Sequence, residues 1–369
     1  MADFVKILQV GLGNNPGGME AFVMNYFREL SRQGISFDFV SMYGTIAYEQ
    51  EILKLGGKVF YVPNVKKDYY GYVKAFQRLL KEEQYDIVHV NMLSAANIVP
   101  LRLAKQTGVG KVIAHSHNAS APGLIRKLMD KWNRPGLNRY ADRKLACSEK
   151  AGRWLFGNAA FDRGEVTVVS NAIDTGKYGF SSENRAAVRR KLGVGDGILV
   201  GHVGRFQVQK NHEAIVRIFY EIQKIMPTAR LCLIGDGELK EKICQEFQQL
   251  GIPEKVIFAG VCPDVERYLS AFDVFLFPSL FEGLPFTLLE AQANGLPCVI
   301  SDQITEEAVL LKEKIISLSL EKSDQEWAKT VISCAKKGRE EKEKSAELLA
   351  EAHFDIHQEA GRLMELYEK

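Results

Sequence analysis

The 369-residue sequence contains no Asp-x-Asp pair, no Cys-x-x-Cys and no His-Glu-x-x-His. The first absence removes the carboxylate pair that can hold a divalent ion on a diphosphate. The second, with six cysteines scattered at positions 147, 232, 244, 262, 298 and 334, argues against zinc or a disulfide framework and for reduced thiols in the cytosol. His353 and His357 sit four apart in "HFDIH" but lack the glutamate of the zinc signature, which leaves them as surface residues. His115 and His117 in "AHSHNAS" have no evident third ligand. No apolar run approaches the roughly 18 to 20 residues of a membrane-spanning helix. The opening "MADFVKILQV" has no basic segment before its apolar core and no small-residue cleavage site after it, so it reads as a strand and not a signal peptide. The dinucleotide fingerprint G-x-G-x-x-G is also missing. Gly11 and Gly13 fit, but Pro16 stands at the third position, and "FDFVSMYG" ends the second strand without an acid. A nicotinamide dehydrogenase is therefore disfavoured. No internal repeat or low-complexity tract stands out.

What is present is an ordinary globular composition, 46% hydrophobic and 25% charged. β-rich runs alternate with amphipathic ones: "VKILQV", "FDFVSM", "KVFYV", "DIVHVN" and "KVIAHS", then, after "EVTVVSNAID", "ILVGHVG", "ARLCLIG", "KVIFAG", "VFLFPS" and "PCVIS". Such alternation predicts parallel sheets covered on both faces. Two series predict an α/β protein of two doubly wound, Rossmann-like domains, residues 1–170 and 171–353, facing a central cleft. The C-terminal stretch 354–369 has Ile356, Leu363, Leu366 and Tyr367 for one apolar face and can pack on either domain, the first included. Ligands are expected beyond the carboxyl ends of the strands.

Three loops carry chemistry. "GLGNNPGGME" follows the first strand and opens a helix, where glycines admit a ligand to the backbone and the helix start offers N–H groups to an anion. A plain strand-to-helix turn would use glycine too. "GHVGRFQVQKNH" places Arg205 and Lys210 at a strand's carboxyl end, able to neutralise a diphosphate or simply to face solvent. "FEGLPFTLLEAQ" places Glu282 on a loop before a Gly-Leu-Pro turn and Glu290 inside an apolar run. Pro285 suits a first helical turn. Glu290, between buried-looking neighbours, needs a hydrogen-bonding partner such as a ribose hydroxyl; the alternative is a helix-start acid and an exposed mid-helix one.

Taken together, these residues resemble the retaining glycosyltransferases of family 4, which have the GT-B fold. The family's E-x7-E motif matches Glu282 and Glu290 in "EGLPFTLLE". Its phosphate-binding Arg and Lys match Arg205 and Lys210, its glycine loop matches "PGGME", and its domain junction matches "VVSNAID". The resemblance runs over nearly the whole chain and looks closest to bacterial members that build exopolysaccharide or capsule. It departs at "SDQITEEAVLLKEKI", where many relatives have a glycine-rich segment. The resemblance implies a hexosyl transfer from a nucleotide sugar, expected to be UDP-linked, to a hydroxyl of a glycan or polyprenyl-linked acceptor, with retention and without metal or cofactor. It assigns catalysis to His117, Glu282, Arg205 and Lys210, and donor binding to Gly17, Gly18, Arg205, Lys210, Gly283, Leu284, Pro285, Phe286 and Glu290. A GT-B sugar-nucleotide epimerase and a non-catalytic sugar-nucleotide-binding protein are the alternatives.

Charge is unevenly placed. Residues 1–170 hold 23 lysines and arginines against 15 acids, and residues 171–369 hold 25 against 31. Much of the excess lies in residues 121–146, where Arg126, Lys127, Lys131, Arg134, Arg139, Arg143 and Lys144 interleave with Leu124, Ile125, Leu128, Met129 and Trp132. No nucleic-acid module accompanies the basic half, so no nucleic-acid partner is expected. The segment reads instead as a basic amphipathic helix for an anionic membrane surface, which predicts a cytoplasmic protein peripheral on the inner face of the cell membrane. Packing of that stripe into the first domain is the competing expectation.

Overall fold

The computed structural model describes residues 5–118 and 123–368. The chain forms two compact units, Met1–Ala172 with Ile356–Lys369, and Ile173–Asp355. The first is built on seven parallel strands: β1 (Lys6–Val10), β2 (Ser36–Ser41), β3 (Val59–Tyr61), β4 (Ile87–Met92), β5 (Lys111–Ser116), β6 (Arg143–Ala146) and β7 (Val166–Val168). Their order is β3-β2-β1-β4-β5-β6-β7. The second holds six parallel strands: β8 (Leu199–Val203), β9 (Arg230–Ile234), β10 (Val256–Gly260), β11 (Val274–Phe277), β12 (Cys298–Ser301) and β13 (Ile315–Leu318), in the order β10-β9-β8-β11-β12-β13. Both are Rossmann-like sheets. Each reverses direction of growth once, between β1 and β4 and between β8 and β11, and those are the switch points where such sheets bind ligands.

The central strands read as apolar runs because helices cover both their faces. Ile7, Leu8, Val88, Val112 and Ala114 are fully buried in the first unit, as are Val200, Leu231, Val274, Leu276 and Val299 in the second. Three strands escape the sequence pattern, one of them β7, three residues inside the stretch that the sequence marks as the junction. In β6, "RKLA" is half charged, and only Leu145 and Ala146 are buried. In β13, "IISL" lies at the sheet's edge, with one exposed and two half-buried residues. At four residues each, β6 and β13 show no readable period.

The helix Ile356–Glu368 belongs to the first unit. Ile356, Ala360, Leu363 and Tyr367 are buried, a stripe at spacings four, three and four that suits one face of a helix. Leu366, expected on that face, is half-buried. Removing the Leu363 side chain leaves a cavity in this seam. Leu363→Ala is therefore expected to destabilise the first unit by about 2–5 kcal/mol, read as a lower midpoint in chemical denaturation. A change within about 0.5 kcal/mol would mean that the helix does not depend on this packing.

Candidate functional site

In the second unit the loops after β8 and β11 meet at the switch point. Lys210 Nζ lies 2.7 Å from Glu282 Oε1, and both side chains are nearly enclosed, at 13% and 8% exposure. Lys210 also sits 4.7 Å above the Phe277 ring. Gln209 Nε2 donates to Glu282 Oε2 and to the Phe281 carbonyl, both at 3.1 Å. Asn211, left-handed at φ 55°, donates to the Pro278 carbonyl, and the Leu280 amide donates to the Gln209 carbonyl. The sequence brings these residues together because each loop follows a central strand of the same sheet. Beneath Lys210, His202 and His212 are buried with rings 4.8 Å apart. Burial, and then the Lys210 charge, hold His212 down at about 4; burial, and then His212 and Lys210 beside it, hold His202 well below the usual imidazole range. Both are therefore neutral, so the charge at this point belongs to the lysine and the glutamate. Arg205 is exposed, with Nη2 3.9 Å from Glu238, a contact of little energetic weight. Gly235, at φ +133°, lets the loop after β9 press against the Arg205 loop: a Cβ there would fall 2.1 Å from the Gly204 carbonyl.

Gly283, Leu284, Pro285 and Phe286 follow Glu282. The helix runs Phe286–Ala293, with Pro285 as the residue before it and no side-chain cap on its start. Pro285 thus sits one position outside the first turn expected for it. Glu290 lies in this helix, partly buried. Desolvation pushes its carboxyl up to about 7, against a hydrogen bond from Tyr178 and the charge of Lys177, and Glu266 raises it further. The partner that Glu290 needs is thus present in the protein. Tyr178 comes from a short helix, Thr175–Tyr178, directly after the junction motif, and nothing in the sequence pattern links it to Glu290.

In the first unit the loop after β1 meets the ends of β4 and β5. Gly11 is required: its φ is +116°, and a Cβ would stand 2.2 Å from the Asn91 carbonyl. Glu20, buried in the first turn of the helix Gly18–Arg32, accepts from the Gly13 amide at 2.9 Å and so closes the loop. A Cβ on Gly17 would meet Glu20 Oε2 at 2.8 Å, whereas Gly18 faces open space. Only Gly18 therefore presents the bare backbone expected of both glycines. His117 follows β5, its amide bonded to the Met92 carbonyl and its Nε2 2.8 Å from Asn91 Oδ1. Burial holds its imidazole down at about 3, with His89 adding to the effect. Glu20 and Asn91 were not singled out from the sequence. The first carries a signal, an acid three residues after the helix-capping glycine; the second is one polar residue at a strand end. Among the described residues no three His, Cys, Asp or Glu side chains are grouped to hold a metal ion.

The basic segment divides. The helix covers Leu124–Tyr140, while Arg143 and Lys144 lie on β6, which corrects the expectation of one continuous helical patch. Lys144 pairs with Glu165 at 2.7 Å. Arg134 turns inward to the Trp154 and Leu155 carbonyls, and Leu137 is buried. Opposite, Trp132 is 87% and Leu128 61% exposed, with Met129 beside them and Arg126, Lys127 and Lys131 all exposed. The apolar stripe is therefore not packed into the unit at these positions. Ala121, Pro122 and the side chains of Leu124 and Ile125 lie outside the described residues. No described helix is long and apolar enough to cross a membrane.

Two Rossmann-like units with a cation–carboxylate pair at a switch point define a GT-B type of architecture, and comparison with known proteins gives the family. Residues 16–177 match the model of Glycosyltransferase Family 4, and residues 184–365 match that of Glycosyl transferases group 1. The putative glycosyltransferase EpsF of Bacillus subtilis is 34% identical over 98% of this chain and 96% of its own. An Escherichia coli UDP-Gal:α-D-GlcNAc-diphosphoundecaprenol α-1,3-galactosyltransferase is 28% identical over 67% of this chain and 65% of its own. The crystal structure of Anabaena HepE in complex with UDP superposes with a TM-score of 0.77, covering 99% of this chain and all of the other, at 19% identity. The chain belongs to glycosyltransferase family 4, with the GT-B fold, and is a glycosyltransferase.

The raised carboxyl of Glu290 has a consequence for stability. Its folded value, about 7, lies above the ordinary 4.5, so between those values the folded chain binds the extra proton. Stability should fall as pH rises from about 4.5 to about 7 and level off beyond. Glu290→Gln should remove about 2 kcal/mol of that fall, allowing for partial exposure. Denaturation midpoints near pH 5 and pH 8 read this directly; identical pH slopes in both proteins would show that Glu290 is ionised throughout.

Proposed function

We propose that this protein moves a hexosyl unit from a UDP-sugar to a hydroxyl of a glycan or polyprenyl-linked acceptor, with retention of anomeric configuration, in surface-polysaccharide synthesis. The observation that carries this reading is the enclosed Lys210–Glu282 pair at the switch point of the second sheet. An enclosed ion pair contributes little net stability, because desolvating both charges offsets their attraction. It does keep an ammonium oriented where a diphosphate would bind. The E. coli relative, whose name states a UDP-galactose donor and an undecaprenol diphosphate acceptor, supports the substrate classes.

In this reading Lys210 and Arg205 stabilise the departing diphosphate, taking the place that a metal ion holds elsewhere. The bond from the anomeric carbon to the diphosphate oxygen breaks, and the acceptor oxygen bonds to that carbon on the same face. The acceptor's proton passes to the departing oxygen. The protein then supplies position and charge. Glu282 and His117 orient the sugar, Glu290 holds the ribose, and Gly18 and the Gly283–Phe286 turn admit the donor to the backbone. The second unit binds the nucleotide sugar and the first takes the acceptor. No metal and no further cofactor take part. The exposed Trp132, Leu128 and Met129, flanked by Arg126, Lys127 and Lys131, rest on the anionic inner face of the membrane, where each cation adds about 1 kcal/mol.

Transfer is tested by supplying UDP-, GDP- and ADP-sugars with a lipid-linked acceptor and following the product's anomeric configuration by NMR. Arg205→Ala and Lys210→Ala should each lower turnover by about 10²-fold or more, while a chelator leaves turnover intact. Near-normal turnover in both variants, or inverted product, would overturn the reading. For the membrane face, sedimentation with anionic vesicles should carry the protein down at low salt. Binding should drop with salt and in the Arg126→Glu, Lys127→Glu, Lys131→Glu triple variant. Wild-type protein that stays in the supernatant would show that the stripe serves another partner.

A further inference from the structure

His117 is the end of a buried chain of side chains, and that chain has a direction. His117 Nε2 meets Asn91 Oδ1 at 2.8 Å. Asn91 Nδ2 meets the Val10 carbonyl at 3.3 Å and Gln9 Oε1 at 2.9 Å. Gln9 Nε2 is 3.4 Å from the Tyr367 hydroxyl, which is 2.8 Å from His89 Nδ1. His89 Nε2 lies 3.1 Å from His115 Nδ1. Gln9, His89, Asn91, His115 and Tyr367 are all buried.

A histidine or an amide alone can be read in either direction, but a backbone carbonyl can only accept. The side of Asn91 that faces Val10 must therefore be its NH₂. Turning the amide over would bring two oxygens together there and again at Gln9. With Nδ2 fixed, Oδ1 is left for His117, so His117 must donate from Nε2. The rest follows outward: Asn91 donates to Gln9, Gln9 to Tyr367, Tyr367 to His89 and His89 to His115. The last donor, His115 Nε2, has no partner among the described residues, so nothing described at that end competes with Val10 in setting the direction. The titratable neighbours that act on His117 are histidines, and burial keeps His89, His115 and His117 all well below the usual imidazole range. Each ring therefore carries one proton, whose position the chain decides.

We infer that Asn91 is a positioning residue: pinned by the Val10 carbonyl, it holds His117 as the Nε2–H tautomer and leaves Nδ1 as a lone-pair acceptor for a sugar hydroxyl. The inference rests on the reading of His117 as the residue that meets the transferred sugar. It narrows that contact to a group that donates a hydrogen bond, and excludes a phosphate oxygen. Tyr367 joins the chain from the C-terminal helix, downstream of the point where its direction is set.

The test uses the full chain labelled with ¹⁵N-histidine, with the His117 signals identified by their loss in His117→Gln. Wild type should show His117 protonated at Nε2 and bare at Nδ1 from about pH 6 to pH 8. Tyr367→Phe, which cuts the chain beyond Gln9, should leave that tautomer unchanged while altering the His89 signals. Asn91→Asp puts a carboxylate against Nε2 and should give a doubly protonated His117. Its turnover should then be at least about 10-fold down at low pH and recover as pH rises, a limb absent from wild type. A wild-type His117 protonated at Nδ1 would overturn the inference, and so would a tautomer that changes in Tyr367→Phe. The spectrum needs no donor. The predicted tautomer in a protein that transfers no sugar would count against the proposed function and leave the role of Asn91 in place.

Discussion

A lysine and a glutamate 2.7 Å apart, both largely withdrawn from water, set the terms for much of the second unit. Neither can be left alone there, since an unpaired buried charge costs several kcal/mol. The surroundings are arranged accordingly. Gln209 takes the second glutamate oxygen, Phe277 lies under the ammonium, and two neutral histidines floor the site without adding charge. The glycine-tight approach of the β9 loop and the left-handed Asn211 hold the flanking backbone. The topology places the pair where strands β8 and β11 part, so fold and charge converge on one point.

The first unit solves a related problem without charge. Its strand ends carry a loop closed by Glu20 and a histidine whose neighbours are all neutral and hydrogen-bonded in series. A neutral, oriented donor–acceptor array suits hydroxyl groups, while the ammonium and guanidinium of the second unit suit phosphate.

The sequence made the sheets legible where strands are buried on both faces and read as apolar runs, as with "KILQV" and "VFLFP". It was silent at β6 and β13, where four residues with mixed polarity carry no period. Arg205, Lys210 and Glu282 could be picked out on loops that follow strands, and Glu290 as an acid inside the apolar helix Phe286–Ala293. Their partners could not. Tyr178 reaches Glu290 from a short helix more than a hundred residues earlier, and Tyr367 reaches His89 from the last helix. Such contacts depend on how helices return to a sheet, and no local spacing encodes them. The basic segment was read as one helix because β6 hides among its cations. Its outward-facing Trp132 and Leu128 could not be told in advance from a buried stripe, since both give the same helical spacing.

The central claim is that the Lys210 ammonium, held by Glu282 in the free protein, is the anchor for the donor's diphosphate. Calorimetric titration of UDP into the wild-type protein and into Lys210→Met tests it most directly. In the variant Glu282 keeps its bond from Gln209, so the loop retains a partner. The account predicts saturable binding by the wild type that weakens as salt rises and is lost, or reduced by about 10²-fold or more, in Lys210→Met. Equal affinity in the two proteins would contradict it.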